Sequence, residues 1–309
     1  MAVGDSTRGL LTTVDETVSE AIRGYSDRRL GMWLLLLPAL LIIGFLLILP
    51  ALILVDFSLN PMVGGRIVEG FTVVHYLRAI TTPLHQDIFL RTVRIALVVT
   101  VLDFLIGFPL AYAAVRKGGW MGKLIVISTL APLTIDLVVR SFGWFILLSQ
   151  NGLVTSALVA TGLVPADNPP KLLFNELGII IGLTHVMLPF MVFPIINVLH
   201  TIPRSYEEAA INLGANRLTV FRRVLFPLAL PGISAGVLIT FIVSMAAYVT
   251  PAILGGGVKV VPVVITDTFL TTSNWPFASA LSMLLVLIAL VVIIGYQRVL
   301  RVIDSVGGS

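Results

Sequence analysis

A run of 26 residues, 30–55, carries no charge and follows directly on Arg28 and Arg29. A helix needs about 20 apolar residues to cross a hydrocarbon core, so this run spans even when tilted. A cleaved secretory signal has an apolar core of only about 7–15 residues, so the run does not read as one. Five further stretches are long and predominantly apolar: residues 95–115, 124–150, 177–199, 227–248 and 277–297. The remaining composition agrees. Hydrophobic residues make up 57% of the 309, and charged residues only 12%. Soluble domains carry about 25% charged residues. A soluble α/β enzyme, a disordered chain and an ordinary nucleic-acid binder are thereby excluded. The expected fold class is all-α, a polytopic membrane protein with six transmembrane helices.

Lys and Arg set the expected orientation, because cytoplasmic loops carry their excess. With the N-terminus inside, Arg116, Lys117, Lys123, Arg204, Arg217, Arg222, Arg223, Arg298 and Arg301 join Arg8, Arg23, Arg28 and Arg29 on the cytoplasmic side. Arg66, Arg78, Arg91, Arg94, Lys171 and Lys259 lie outside, and Arg140 falls within a span. Both termini are therefore expected in the cytoplasm of a bacterial-type inner membrane. Residues 1–29 read as a cytoplasmic tail, 30–300 as the transmembrane domain and 301–309 as a second tail. In the first tail Thr13 and Glu16 fit a capping box. Val14, Val18, Ala21 and Ile22 share one face of the helix this would start, an amphipathic segment for the lipid surface or the bundle.

Bond chemistry finds little support. There are no cysteines, which excludes disulfides and thiolate nucleophiles. The sequence has no Walker A phosphate loop, and His75, His85, His185 and His200 lack metal-ligand spacing.

The informative segment is the loop 200–227, between the fourth and fifth spans. Ser205 and Glu208 have the spacing of a capping box, which predicts a helix starting near Tyr206. Glu207 and Glu208 fall in its first turn, where the helix dipole favours anions. Gly214 stands where a left-handed cap is expected, and Asn216 can cap a second helix. Pro227 can open or kink the fifth span. The expected motif is helix, tight turn, helix. Ala209 and Ala210 keep one side slim enough for close approach of another protein.

This pattern resembles the cytoplasmic loop of ATP-binding-cassette importer permeases, whose signature is E-A-A, three residues, G, nine residues, I, one residue, L-P. Here Glu208-Ala209-Ala210 precede Gly214, and Val224 and Phe226-Pro227 replace Ile and Leu-Pro, apolar for apolar. Further matches are similar to the spermidine/putrescine-type branch. Pro132, Arg140 and Trp144 keep its third-span spacing, followed by Asn151-Gly152-Leu153. Leu188-Pro189-Phe190, Leu230-Pro231-Gly232-Ile233 and Asn274-Trp275-Pro276-Phe277 also fit. The resemblance runs from about residue 30 to 300. It implies a coupling helix carrying Glu208, Ala209, Ala210 and Gly214 that docks on an ATPase subunit. It also implies a second permease chain, different but homologous, two ATPase subunits that bind ATP and Mg, and an extracytoplasmic solute-binding protein. This chain would hold no cofactor, and nucleic acid would have no part.

Ionisable residues inside spans are expensive and mark candidate pathway positions. Asp103, Asp136 and Arg140 qualify. Asp136 and Arg140, four apart on one predicted helix, are expected to pair. Asp136 stands where the branch more often has an amide. Asp103 precedes Gly107 and Pro109 on a small-residue face, where a hydroxyl or backbone partner is expected across the bundle. Trp144 and Tyr248 are candidates to hold a cationic amine by cation–π contact, or to act as interfacial anchors. The expected function is the permease subunit of an importer that works by alternating access. Polyamine leads as cargo, with opines, amino acids, iron and phosphonates as alternatives. An ion-gradient-driven carrier would leave the E-A-A loop unexplained.

Overall fold

A computed structural model describes residues 36–165, 167 and 169–307; the side chain of residue 299 and those beyond 300 are not described. The tail helix expected around Thr13 to Ile22 and the first residues of the initial span lie outside this range. The chain divides into two compact units at Asp56/Phe57.

In the first unit runs most of α1 (Leu36–Leu59), whose Leu41, Phe45, Leu46 and Leu47 are largely exposed. Such an apolar surface suits acyl chains. In the second unit a short antiparallel hairpin, β1 (Met62–Val63) and β2 (Arg66–Ile67), leads to α2 (Val74–Thr81). Then come α3 (Pro83–Lys117), α4 (Gly119–Thr134), α5 (Leu137–Leu148), α6 (Leu153–Ala160) and α7 (Glu176–Thr201). The loop helix α8 (Ser205–Asn212) is followed by α9 (Arg217–Ala246), α10 (Val249–Leu254), α11 (Val261–Leu270) and α12 (Trp275–Gly307). Among the described residues six helices are long and apolar enough to cross a membrane.

Helices α3, α7 and α9 form the centre of the second unit. Near the α8 end, Phe108 and Ala111 of α3 pack with Met191, Ile195 and Leu199 of α7 and with Ala229 and Ile233 of α9. Farther along, Ile95 and Val99 pack with Ile179, Leu183 and Met187. Lipid supplies no hydrophobic drive between helices, so close van der Waals approach holds them. Gly232 and Gly236, one turn apart on α9, permit that approach. A Cβ on Gly232 would sit 2.7 Å from the carbonyl oxygen of Pro194, and one on Gly236 would sit 3.0 Å from that of Met191.

Three boundaries differ from the sequence reading. The second span begins at Pro83 rather than near residue 95, so Arg91 and Arg94 lie on the helix. They are accommodated there by acids: Arg91 contacts Asp87 at 2.5 Å and Glu176 at 3.1 Å, and Arg94 contacts Glu176 at 2.6 Å. The third span is not the single helix 124–150. The chain breaks at Ile135–Asp136, and the crossing segment is Leu137–Ala160. Pro132 weakens the last turn of α4, and the Asp136 carboxylate accepts from the amides of Val138 (2.8 Å) and Val139 (3.2 Å), starting a new helix. Finally, the second helix of the 200–227 loop runs into the fifth span without interruption. A π turn at Phe221–Leu225 precedes Pro227. Proline lacks an N–H and crowds the carbonyl four residues back, so a locally widened turn accommodates it.

The coupling hairpin and the interior polar residues

The loop 200–227 folds as helix, tight turn, helix. The α8 helix ends in a Schellman motif: the Gly214 amide donates to Ile211 O (2.9 Å) and the Ala215 amide to Ala210 O (3.0 Å). Gly214 takes φ +86°, a conformation an L side chain rarely adopts. Asn216 caps the second helix through its side chain, which accepts from the Thr219 amide at 2.8 Å. The capping box expected at Ser205 and Glu208 does not form. Pro203 turns the chain one residue earlier, so the first amides of α8 are met by backbone carbonyls of Pro203 and Arg204. Glu208 and Ala209 are left exposed.

The outer side of this hairpin is apolar. Leu213 is 89% exposed and Leu218 73%, with Tyr206 about half exposed, while Ile211 lines a cavity against α3 with Glu207, Phe108 and Tyr112. Ala210 instead turns inward and packs with Ala215 against the core cluster of α3, α7 and α9. No residue of α8 is fully buried. Its polar attachment is Glu207, whose carboxylate sits 2.6 Å from Arg116 Nε and accepts from the Tyr112 hydroxyl at 2.9 Å. Sequence reading placed Glu207 only in the first turn and Arg116 only among cytoplasmic charges, and did not single out Tyr112.

The interior candidates fall into two places. Arg140 and Tyr248 line one cavity of about 470 Å³, together with Leu183, Met187, Phe190 and Thr250. The Arg140 guanidinium donates to the Pro132 carbonyl and so bridges the break between α4 and α5. The expected Asp136–Arg140 ion pair is not among those of the described residues, because Asp136 is committed to capping and Arg140 to Pro132. Trp144 donates its indole N–H to His185 Nδ1 at 3.1 Å, and the two rings stack edge to face. His185, named above only among histidines without metal-ligand spacing, is therefore the partner that fixes Trp144. Asp103 stands elsewhere, fully buried, and neither carboxylate oxygen has a hydrogen-bond partner. The hydroxyl or backbone partner expected for it is not met, because the surrounding face of α3 packs against apolar atoms such as those of Met191 and Val192 around Gly107.

Six helices long and apolar enough to cross a membrane, a helical hairpin with exposed leucines and cavities between broken helices suit a transport component. The profile described as "Binding-protein-dependent transport system inner membrane component" matches residues 32–304. The chain belongs to this family and is a membrane-spanning permease of an ATP-binding-cassette importer. Among relatives it is 30% identical over 277 residues to the spermidine/putrescine transport system permease protein PotB of Escherichia coli (strain K12), covering 88% of this chain and 96% of that one. It is 31% identical over 218 residues to the molybdenum transport system permease protein ModB of Mycobacterium bovis (strain ATCC BAA-935 / AF2122/97), covering 70% and 80%. In fold it is similar to a chain in the crystal structure of a bacterial ABC transporter involved in the import of the acidic polysaccharide alginate. That match has a TM-score of 0.64 and 19% identity, covering 90% of this chain and 98% of the other.

Proposed function

We propose that this permease works with a second, homologous permease chain, two ATPase subunits that bind ATP and Mg, and an extracytoplasmic solute-binding protein, and that it imports a polyamine. Both termini are cytoplasmic. Glu208, Ala209 and the Gly214 turn engage the ATPase, while Ala210 holds α8 to the bundle. ATP binding biases one packing of the helices over the other, and the cavity opens alternately to the two sides. The observation that carries the coupling role is the exposure of Tyr206, Leu213 and Leu218 on a hairpin whose Ala210 and Ala215 pack on the core. A surface of this kind marks a protein contact.

The polyamine reading is supported by the length over which the PotB likeness runs. A second reading has its own support. Arg140 places a cation at the cavity it shares with Tyr248, and a cation there favours a cargo bearing a carboxylate or phosphonate, such as an opine or amino acid. One experiment separates the readings: ATPase activity of the complex in lipid nanodiscs with its binding protein, with spermidine, putrescine or an amino acid added. Stimulation by a polyamine is the expected result. Stimulation by an amino acid alone would overturn the polyamine assignment and leave the importer intact.

A further inference from the structure

The α8 helix has no fully buried residue, yet it has to transmit force to a bundle. Its backbone joins the bundle at both ends, and Ala210 and Ala215 make apolar contact. Such contact resists compression better than pulling. Glu207 is different. Its side chain is 12% exposed and that of Arg116 is 11%, so the pair is largely withdrawn from water, and Tyr112 holds the second carboxylate oxygen. Tyr112 and Arg116 are four apart on one face of α3: Tyr112 donates a hydrogen bond to Oε2, and Arg116 Nε holds Oε1 by charge, without a hydrogen bond.

The grip is reciprocal. Arg116 Nη2 donates to Ile202 O at 3.1 Å, at the end of α7. Arg204, at the start of α8, donates to the carbonyl of Arg116, one of the acceptors that the end of α3 leaves without an intrahelical partner. Pro109 lies inside α3, less than one turn before Tyr112, where the missing N–H removes a backbone hydrogen bond. At its other end α3 carries Arg91 and Arg94, which hold Glu176 at the start of α7.

We propose that Glu207, with Arg116 and Tyr112, is the positioning residue through which movement of the coupling hairpin reaches α3. Segment 110–117 acts as the lever beyond Pro109. Pulling α8 away from the bundle loads the Glu207 contacts, turns this segment and passes the displacement along α3 toward the Arg91–Glu176 end. The exposed Glu208 faces the ATPase, and Glu207, largely withdrawn from water, faces the permease. This inference rests on the coupling role proposed above for the hairpin.

The test uses the complete reconstituted transporter with its binding protein, and reads transport and ATP hydrolysis separately. Glu207→Gln keeps the size of the side chain and an acceptor for Tyr112 but removes the charge. The expected result is an assembled complex with hydrolysis within about twofold of the parent and transport per ATP lowered about tenfold. Arg116→Gln should do the same. The double variant should be no worse than either single one, because both remove one link. Transport per ATP within twofold of the parent in assembled Glu207→Gln, or losses that multiply to about a hundredfold in the double variant, would overturn the proposal. Should Glu207→Gln fail to assemble, Tyr112→Phe decides, since it deletes a single hydroxyl. A fall of about threefold in transport per ATP supports the latch, and no change overturns it. Gly214→Pro run alongside separates the two layers. If it transports normally, the coupling role of the hairpin falls. If it uncouples while the Glu207 variants do not, only the latch falls.

Discussion

Replacing Gly214 with proline is expected to uncouple ATP hydrolysis from transport while the permease still assembles. Gly214 holds φ +86° and donates its amide to Ile211 O. Proline fixes φ near −65° and has no amide, so both features are lost together. The turn cannot reverse the chain, and α8 is no longer held at a fixed angle to the helix that becomes the fifth span. A shift of about 1.4 kcal/mol in the hairpin equilibrium already changes the productive population about tenfold, and an incompatible proline costs more than a compatible one gains. Transport should therefore fall at least about tenfold, with ATP hydrolysis retained. Gly214→Ala is the control. Nothing lies within 4 Å of its Cβ, so the left-handed backbone is strained, at about 1–2 kcal/mol, but the amide is kept, and transport should fall less than in Gly214→Pro. Glu208→Ala, on the exposed side of α8, should act in the same direction as Gly214→Pro but more mildly.

The second large effect is expected at Gly232. Here the obstacle is backbone: a Cβ would lie 2.7 Å from Pro194 O and 2.9 Å from Val198 Cγ2. Pro194 lies inside α7, whose neighbouring residues form the core beside α3 and α9, so the carbonyl cannot retreat without moving the helix. Overpacking a tight core costs about 1–3 kcal/mol, and a leucine here adds three further carbons to an already forbidden Cβ. Gly232→Leu should lower the yield of monodisperse permease and its thermal stability severely. Gly232→Ala should do so partially. Gly295→Ala, where nothing lies within 4 Å, should be silent. An unchanged melting temperature in Gly232→Leu would mean that α9 does not cross α7 at this point.

Much of the hairpin was legible because its determinants are local. Gly214 and Asn216 act within five residues of themselves, and their turn and cap occur where the spacing puts them. The capping box at Ser205 failed for a reason equally local but unread. Pro203 forces the preceding turn, so backbone carbonyls reach the amides first. The break at Asp136 was hidden because hydropathy registers composition, and α4 and α5 are both apolar. The choice of Asp136 to cap two amides, rather than to pair with Arg140, turns on backbone geometry that hydropathy does not carry. Glu207 was missed because its partners lie about 90 residues away on α3 and no local pattern names them. For the same reason the joining of Trp144 to His185, 41 residues apart, emerged only with the fold.

The central claim is that the 205–226 hairpin is the contact between this permease and an ATPase subunit. The chain has no cysteine, so a single introduced one reports without background. Leu213→Cys, at a position 89% exposed on the hairpin, and Leu163→Cys, at a position 75% exposed beyond α6, give a test site and a control. The assembled complex would be treated with a short thiol-to-amine crosslinker, with and without ATP. The account predicts a crosslinked product of permease and ATPase from Leu213→Cys, changed in yield by ATP, and none from Leu163→Cys. No product from Leu213→Cys in an assembled, hydrolysing complex, or equal products from both positions, would contradict it.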